Sequence, residues 1–283
     1  MAGALVLFPA LERAAPPVVG SGSARYPDPM PYETLATQAT PALVVYLLDM
    51  SVSMQDRADE DNPESELKSE LVTRTLTRAL REMVRRSVRG TAPMVRYRVA
   101  AFAYNHEVND IFGGARPITE VIQIGAPVMN PAGTTDTAQA FEHAEQLLIS
   151  MYNELRDCPA PLICHFTDGA FTDRSPLPVA ERIQQMTFPD GPVLIENIFF
   201  DRDALAAPIS DPYAWAGISS RDDLASTYAY DLFEMSSPIP DSYLRLFGDR
   251  GYQMKPGAKL FFPGTNPDLV EAAFTMSGMT PIA

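Results

Sequence analysis

Cysteine and histidine are scarce in this chain, and their scarcity is the first limit on its chemistry. It has two cysteines in 283 residues, Cys158 and Cys164, which provide no disulfide framework. Cys164 sits inside a strand-like run, so both read as reduced thiols of an intracellular protein. The three histidines, His106, His143 and His165, are scattered, which argues against a zinc site. Basic residues number 22 against 36 acidic ones, a net charge of −14. Phosphate backbones and anionic membranes need clustered Lys and Arg, so neither nucleic acid nor membrane is expected as a partner. Long apolar runs are lacking too. The apolar stretch at residues 1–10 is too short to cross a bilayer and has no preceding positive charge, so a cytoplasmic protein is expected. There is no G-x-G-x-x-G dinucleotide turn, no G-x-x-x-x-G-K-[ST] phosphate loop, no internal repeat and no calcium-binding EF loop.

What is present suits one α/β domain with extensions, long enough to bury a sizeable core. Residues 1–40 are rich in Pro, Gly, Ser and Ala, as in Pro16-Pro17 and Gly20-Ser-Gly-Ser23, and read as an extended arm: a linker, a strap on the body, or a docking segment. The domain itself is placed at 41–283. Its anchor is Ala42-Leu-Val-Val-Tyr-Leu-Leu48, an unbroken apolar run that reads as a parallel strand covered on both faces. Directly after it come Asp49, Ser51 and Ser53, where ligands sit in open α/β sheets. One carboxylate and two hydroxyls within five residues form an oxygen-only donor set, which suits a hard cation such as Mg2+. Taken alone the pattern is weak, since serines after a strand more often cap a helix.

Two further stretches add to this. Gly133-Thr134-Thr135-Asp136-Thr137 opens a helical pattern, and Phe166-Thr167-Asp168-Gly169 closes a second apolar strand beginning at Pro161. In this order the three segments resemble the von Willebrand factor A (VWA) family and its metal-ion-dependent adhesion site. The resemblance covers roughly residues 40 to 280, with no motif position substituted. It implies a doubly wound, mostly parallel six-stranded sheet with one antiparallel edge strand. It also implies that Mg2+ or Mn2+ is held by Asp49, Ser51, Ser53, Thr135 and Asp168, with Thr134 the alternative to Thr135. In the family a partner protein completes such a site with an Asp or Glu. Intracellular, bacterial-type stand-alone members resemble the VWA partners of MoxR-type AAA+ ATPases, or those of kinase and phosphatase stress systems, and no residue here chooses between them.

The rest of the chain is read around that frame. Gln55–Glu64 is a solvated acidic loop beside the site. Asn62 and Pro63 are expected to open a long helix, 64–89, with Val72, Leu76, Ala79, Leu80 and Met83 as its buried face. Its opposite face carries Arg74, Arg78, Arg81 and Arg85. These are either solvated and paired (Glu70 with Arg74, Glu82 with Arg86) or a docking stripe. A strand is expected at 95–103, an antiparallel edge strand at 108–112, helices at 137–155 and 179–186, and a strand at 192–200. Residues 118–124 are apolar and β-branched but have no clear place. A short helix is expected at 201–205, a rim insertion around 201–227 with the single tryptophan Trp215, and a last strand at 228–235. A helix should then start at Pro240–Asp241, followed by a turn at 260–264 and a final helix. His165 reads as a hydrogen-bonded core residue, and Asp173 as a capping or solvated loop residue. No base is evident beside the metal ligands, and Ser51 stands where a phosphotransferring aspartate would want a second carboxylate. The expectation is therefore a non-enzymatic, metal-dependent interaction module, with a metal-dependent hydrolase or phosphatase as the alternative.

Overall fold

The first apolar run forms strand β1, Ala42–Asp49, with all eight residues buried. In this computed structural model, which describes residues 32–59, 61–89, 92–169, 171, 174–277 and 280, β1 lies at the centre of the sheet. It pairs in parallel with β2, Tyr97–Tyr104, on one side. On the other it pairs in parallel with β5, Leu162–Thr167. The edge beyond β2 holds two short antiparallel pieces, β3 (Val108–Asp110) and β4 (Arg116–Pro117). Past β5 come β6, Leu194–Phe199, and β7, Phe261–Pro263, both parallel. The sheet is therefore mostly parallel with an antiparallel edge; it counts seven strands rather than six because that edge is broken in two.

Helices cover both faces, which is why β1 carries no polar alternation. Ala42, Val44, Tyr46 and Leu48 point into one apolar layer with helices α1 (Lys68–Ser87), α2 (Ile118–Ile124), α6 (Asp241–Gly248) and α7 (Pro267–Ser277). Leu43, Val45 and Leu47 point into the other, with α3 (Thr137–Met151), α4 (Leu177–Gln185) and α5 (Thr227–Met235). The expected buried face of α1 is observed: Val72, Leu76, Ala79, Leu80 and Met83 are all in the core. Among the described residues no helix is long and apolar enough to cross a membrane.

Several local expectations are corrected. Residues 228–235 form α5, not a strand: the Ser226 hydroxyl accepts the Ala229 N–H at 3.2 Å, and Ala229, Leu232 and Phe233 meet the core at helical spacing. The last strand is Phe261–Pro263, inside the expected turn. The unplaced stretch 118–124 is α2, and 201–205 forms turns rather than a helix. Helix α1 starts at Lys68, not Glu64. The Asn62 side chain accepts the Glu64 N–H in a local turn, and Glu70 reaches back to the Leu67 N–H at 2.9 Å. Glu70 is thus a capping residue rather than the partner of Arg74, which bonds Glu66; Glu82 pairs with Arg85, not Arg86. Of the arm, only residues 32–40 are described. They are strapped to the body at Asp190, whose Oδ1 accepts the Glu33 and Thr34 N–H groups.

Candidate metal site at the carboxyl edge of the sheet

Three loops meet here: two leave the carboxyl ends of the parallel strands β1 and β5, and one runs from α2 to α3. After β1 the chain turns through Met50 and Ser51 into a short 3-10 turn, Val52–Gln55. Backbone bonds tie this turn to the loop before α3. Met50 O accepts the Ala132 N–H at 2.7 Å, and Gly133 O accepts the Val52 N–H at 3.2 Å. Gly133 has φ +77°, and a Cβ there would sit 2.6 Å from His106 Nδ1, so the loop needs glycine at this point. The same loop leaves Thr134 exposed and buries Thr135, so Thr135 is the threonine held inward. Asp136 caps α3, accepting the Gln139 N–H at 2.9 Å.

The third loop follows β5. Asp168 comes first and Gly169 turns the chain at φ +106°, where a Cβ would lie 2.2 Å from the Phe199 ring. Four of the five candidate side chains form one hydrogen-bonded cluster. Asp49 Oδ1 accepts the Ser51 N–H at 2.8 Å, and Ser51 Oγ lies 3.1 Å from Ser53 Oγ. The Ser53 hydroxyl then donates to Asp168 Oδ1 at 2.8 Å. Thr135, the fifth candidate, is buried two residues after Gly133, whose carbonyl accepts the Val52 N–H.

Burial raises the Asp49 carboxyl to about 6; hydrogen bonds from Ser51 pull it back, the Asp168 charge pushes it up again, and the Thr167 bond lowers it. Two residues that sequence reasoning did not assign complete the cluster. The Thr167 hydroxyl donates to Asp49 Oδ2 at 2.7 Å, fixing that carboxylate's orientation. Lys68, the first residue of α1, places Nζ 3.1 Å from Asp168 Oδ2. Nothing in the local sequence marks Lys68, because its partner is 100 residues away.

The donor set fits a hard octahedral cation. Neighbouring ligands on an ion with bonds of about 2.1 Å lie about 3 Å apart, and the oxygen spacings from Ser51 to Ser53 to Asp168 are 3.1 and 2.8 Å. Among the described residues no group of three or more His, Cys, Asp or Glu side chains is placed to hold a metal. A site here therefore depends on hydroxyls as much as on carboxylates.

His165 is not part of the cluster. It is fully buried, with Nε2 2.7 Å from the Tyr104 hydroxyl and Nδ1 2.7 Å from Asn197 Oδ1. The Asn197 amide donates to Leu232 O and Ser236 Oγ. Its oxygen must then accept from Nδ1–H, which leaves Nε2 to accept from Tyr104. Burial pushes the imidazole down to about 4, so it is held neutral. Asp173 lies outside the described residues.

No family model matches the sequence, and no curated protein matches it. Solved structures do. The PilB minor pilin from Streptococcus sanguinis aligns over 84% of this chain and 61% of its own, at 10% identity and a TM-score of 0.51. The SpRpn10 VWA domain aligns over 84% of this chain and 95% of its own, at 11% identity and a TM-score of 0.46. Proximal thread matrix protein 1 from the mussel byssus, with a zinc-occupied MIDAS motif, covers 58% of this chain and 37% of that one, at 16% identity and a TM-score of 0.41. The chain thus spans less than two thirds of the pilin and of the mussel protein. VWA domains are among its structural neighbours, and the likeness is one of fold.

Proposed function

We propose that this chain is a VWA-type interaction module that holds one Mg2+ or Mn2+ with Asp49, Ser51, Ser53, Thr135 and Asp168. It would dock an Asp or Glu of another protein onto the ion. The observation that carries this reading is the run of oxygens from Ser51 through Ser53 to Asp168, spaced as neighbouring ligands on an octahedral ion would be. Asp49 and Asp168 bring the negative charge, the serines bring neutral oxygens, and Thr167 and the Ser51 N–H keep Asp49 oriented. An ion held by so few charges keeps open positions and a net attraction for an incoming carboxylate. The chain is strongly acidic, so an acidic partner is repelled at long range and contact depends on the ion as a local bridge. We place this docking in the cytoplasm, with a MoxR-type AAA+ ATPase or a kinase/phosphatase stress system as the partner classes.

We read the module as non-enzymatic. Hydrolytic metals work with a nearby base. His165 has both ring nitrogens bonded inside the core, which leaves His106, packed against Gly133, as the one histidine a hydrolase reading could use. The test is capture of a partner by immobilised chain with Mg2+, with chelator, and with D49A and T135A. Retention only by the Mg2+-loaded wild type is expected. Equal retention by all of them would remove the metal from the interface.

A further inference from the structure

Lys68 is not explained by the metal reading. It opens α1, where its backbone N–H donates to Asp56 O at 2.9 Å, and a cation in a helix's first turn opposes the helix dipole. Its side chain is only 8% exposed, a burial lysine rarely accepts without a partner. That partner is Asp168, a proposed metal ligand. Lys68 Nζ holds Oδ2 at 3.1 Å while Oδ1 accepts the Ser53 hydroxyl at 2.8 Å. A second observation lies on the other side of the ammonium. Lys68 also lines a cavity of about 90 Å3 whose walls carry charges of both signs, Asp59 and Asp61 with Arg57 and Arg202, and Arg202 bonds Asp61 at 2.9 Å. The same side chain therefore borders the metal cluster on one side and a small cavity of mixed charge on the other.

We infer that Lys68 is a tethered counter-ion that neutralises Asp168 in the ion-free protein and must yield that carboxylate when a divalent cation binds. This rests on the metal reading above and specifies how the site is regulated. Without the ion, the Asp168 charge acts on Asp49 across the serine bridge, and the ammonium offsets that repulsion. With the ion bound, a single and a double positive charge about 5 Å apart repel enough to weaken binding about tenfold or more, even at the dielectric of water. The cavity gives the displaced ammonium room beside Asp59, with Asp61 already paired to Arg202. Free metal is therefore bound weakly, and a partner carboxylate that adds negative charge favours ion entry, so ion and partner bind together.

The test titrates Mn2+ into chelator-stripped full-length protein, following free Mn2+ by electron paramagnetic resonance, for wild type, K68M, K68R and D49A. Binding by K68M at least about tenfold tighter than wild type is expected, with K68R near wild type and D49A silent. A second measurement needs no variant. Acylation of the Lys68 amine, followed by mass spectrometry in the wild type, should speed up on Mn2+ saturation as the ammonium leaves Asp168. K68M binding no more tightly than wild type, or a Lys68 acylation rate indifferent to Mn2+, overturns the counter-ion role. If wild type still binds Mn2+ and D49A does not, only that role falls. If neither wild type nor K68M takes up Mn2+, the metal reading falls with it.

Discussion

The Tyr104 hydroxyl lies 2.7 Å from His165 Nε2, and the two rings stack with centroids 5.9 Å apart, sealed between β2, β5 and α3. With Nδ1 bonded to Asn197, a second proton at Nε2 requires the Tyr104 hydroxyl to turn from donor to acceptor inside the core. Its folded value near 4 lies below the ordinary 6.5. The unfolded chain therefore binds the extra proton first, and the stability that neutral His165 contributes is present above pH 6.5 and lost as pH falls towards 4. Urea unfolding should show midpoints falling from pH 6.5 to 4.5, with a shallower fall in H165N. Equal pH slopes for the two proteins would contradict this.

Glu196 presents the opposite case. It is fully buried in β6, in register with Cys164, whose thiol is its polar neighbour. Burial raises it from 4.5 to about 8, and the thiol pulls it down only slightly. The cost of keeping its proton is absent below pH 4.5 and grows as pH rises to 8, at most on the order of 1 kcal/mol per pH unit. E196L should match wild type near pH 4.5 and exceed it in stability by a widening margin up to pH 8. A constant difference across that range would show that Glu196 does not hold its proton.

The arginines of α1 should matter little to stability. Arg78 bonds Glu271 of α7 through both guanidinium nitrogens, at 2.9 and 2.6 Å, yet both side chains are about half exposed. Arg74 and Arg85 are likewise paired within the molecule. Exposed pairs of this kind contribute about 0–1 kcal/mol. R78A should lower the unfolding free energy by less than about 1 kcal/mol and leave partner capture unchanged. Loss of capture in R78A with Mn2+ binding intact would instead make this helix face the docking surface.

Gly169 fixes the turn that presents Asp168. Its positive φ and the Phe199 ring in the path of any Cβ both act against a side chain. G169A should destabilise the fold by about 1–3 kcal/mol and weaken Mn2+ binding by moving Asp168. Wild-type stability and binding in G169A would mean that the turn tolerates rearrangement.

The parts of this architecture that are legible in the sequence are those with a strong local cause. β1 announces itself because a strand buried on both faces must be apolar throughout, and Asp49, Ser51 and Ser53 follow it directly. The buried face of α1 follows from helical spacing alone. Where the local signal points two ways, tertiary context decides. The aromatics of Tyr228-Ala-Tyr-Asp-Leu-Phe233 suit a strand, but the Ser226 cap and the core contacts of Ala229, Leu232 and Phe233 select α5. Asn62-Pro63 has the form of a helix start but forms a turn, while the actual start at Lys68 carries no capping side chain of its own and relies on Glu70. β7 is three residues long, too short to show a period. Lys68 and Thr167 become site residues only when the sheet brings Asp168 and Asp49 to them.

Calorimetric titration of Mn2+ into chelator-stripped wild type and D49A addresses the central claim most directly. Asp49 is buried and anchored by Ser51 and Thr167, so its loss removes one of two site carboxylates. The account predicts one ion per wild-type chain and none in D49A, with D49A still folded by circular dichroism. Wild type that takes up no divalent ion, or D49A that binds it as well as wild type does, would contradict it.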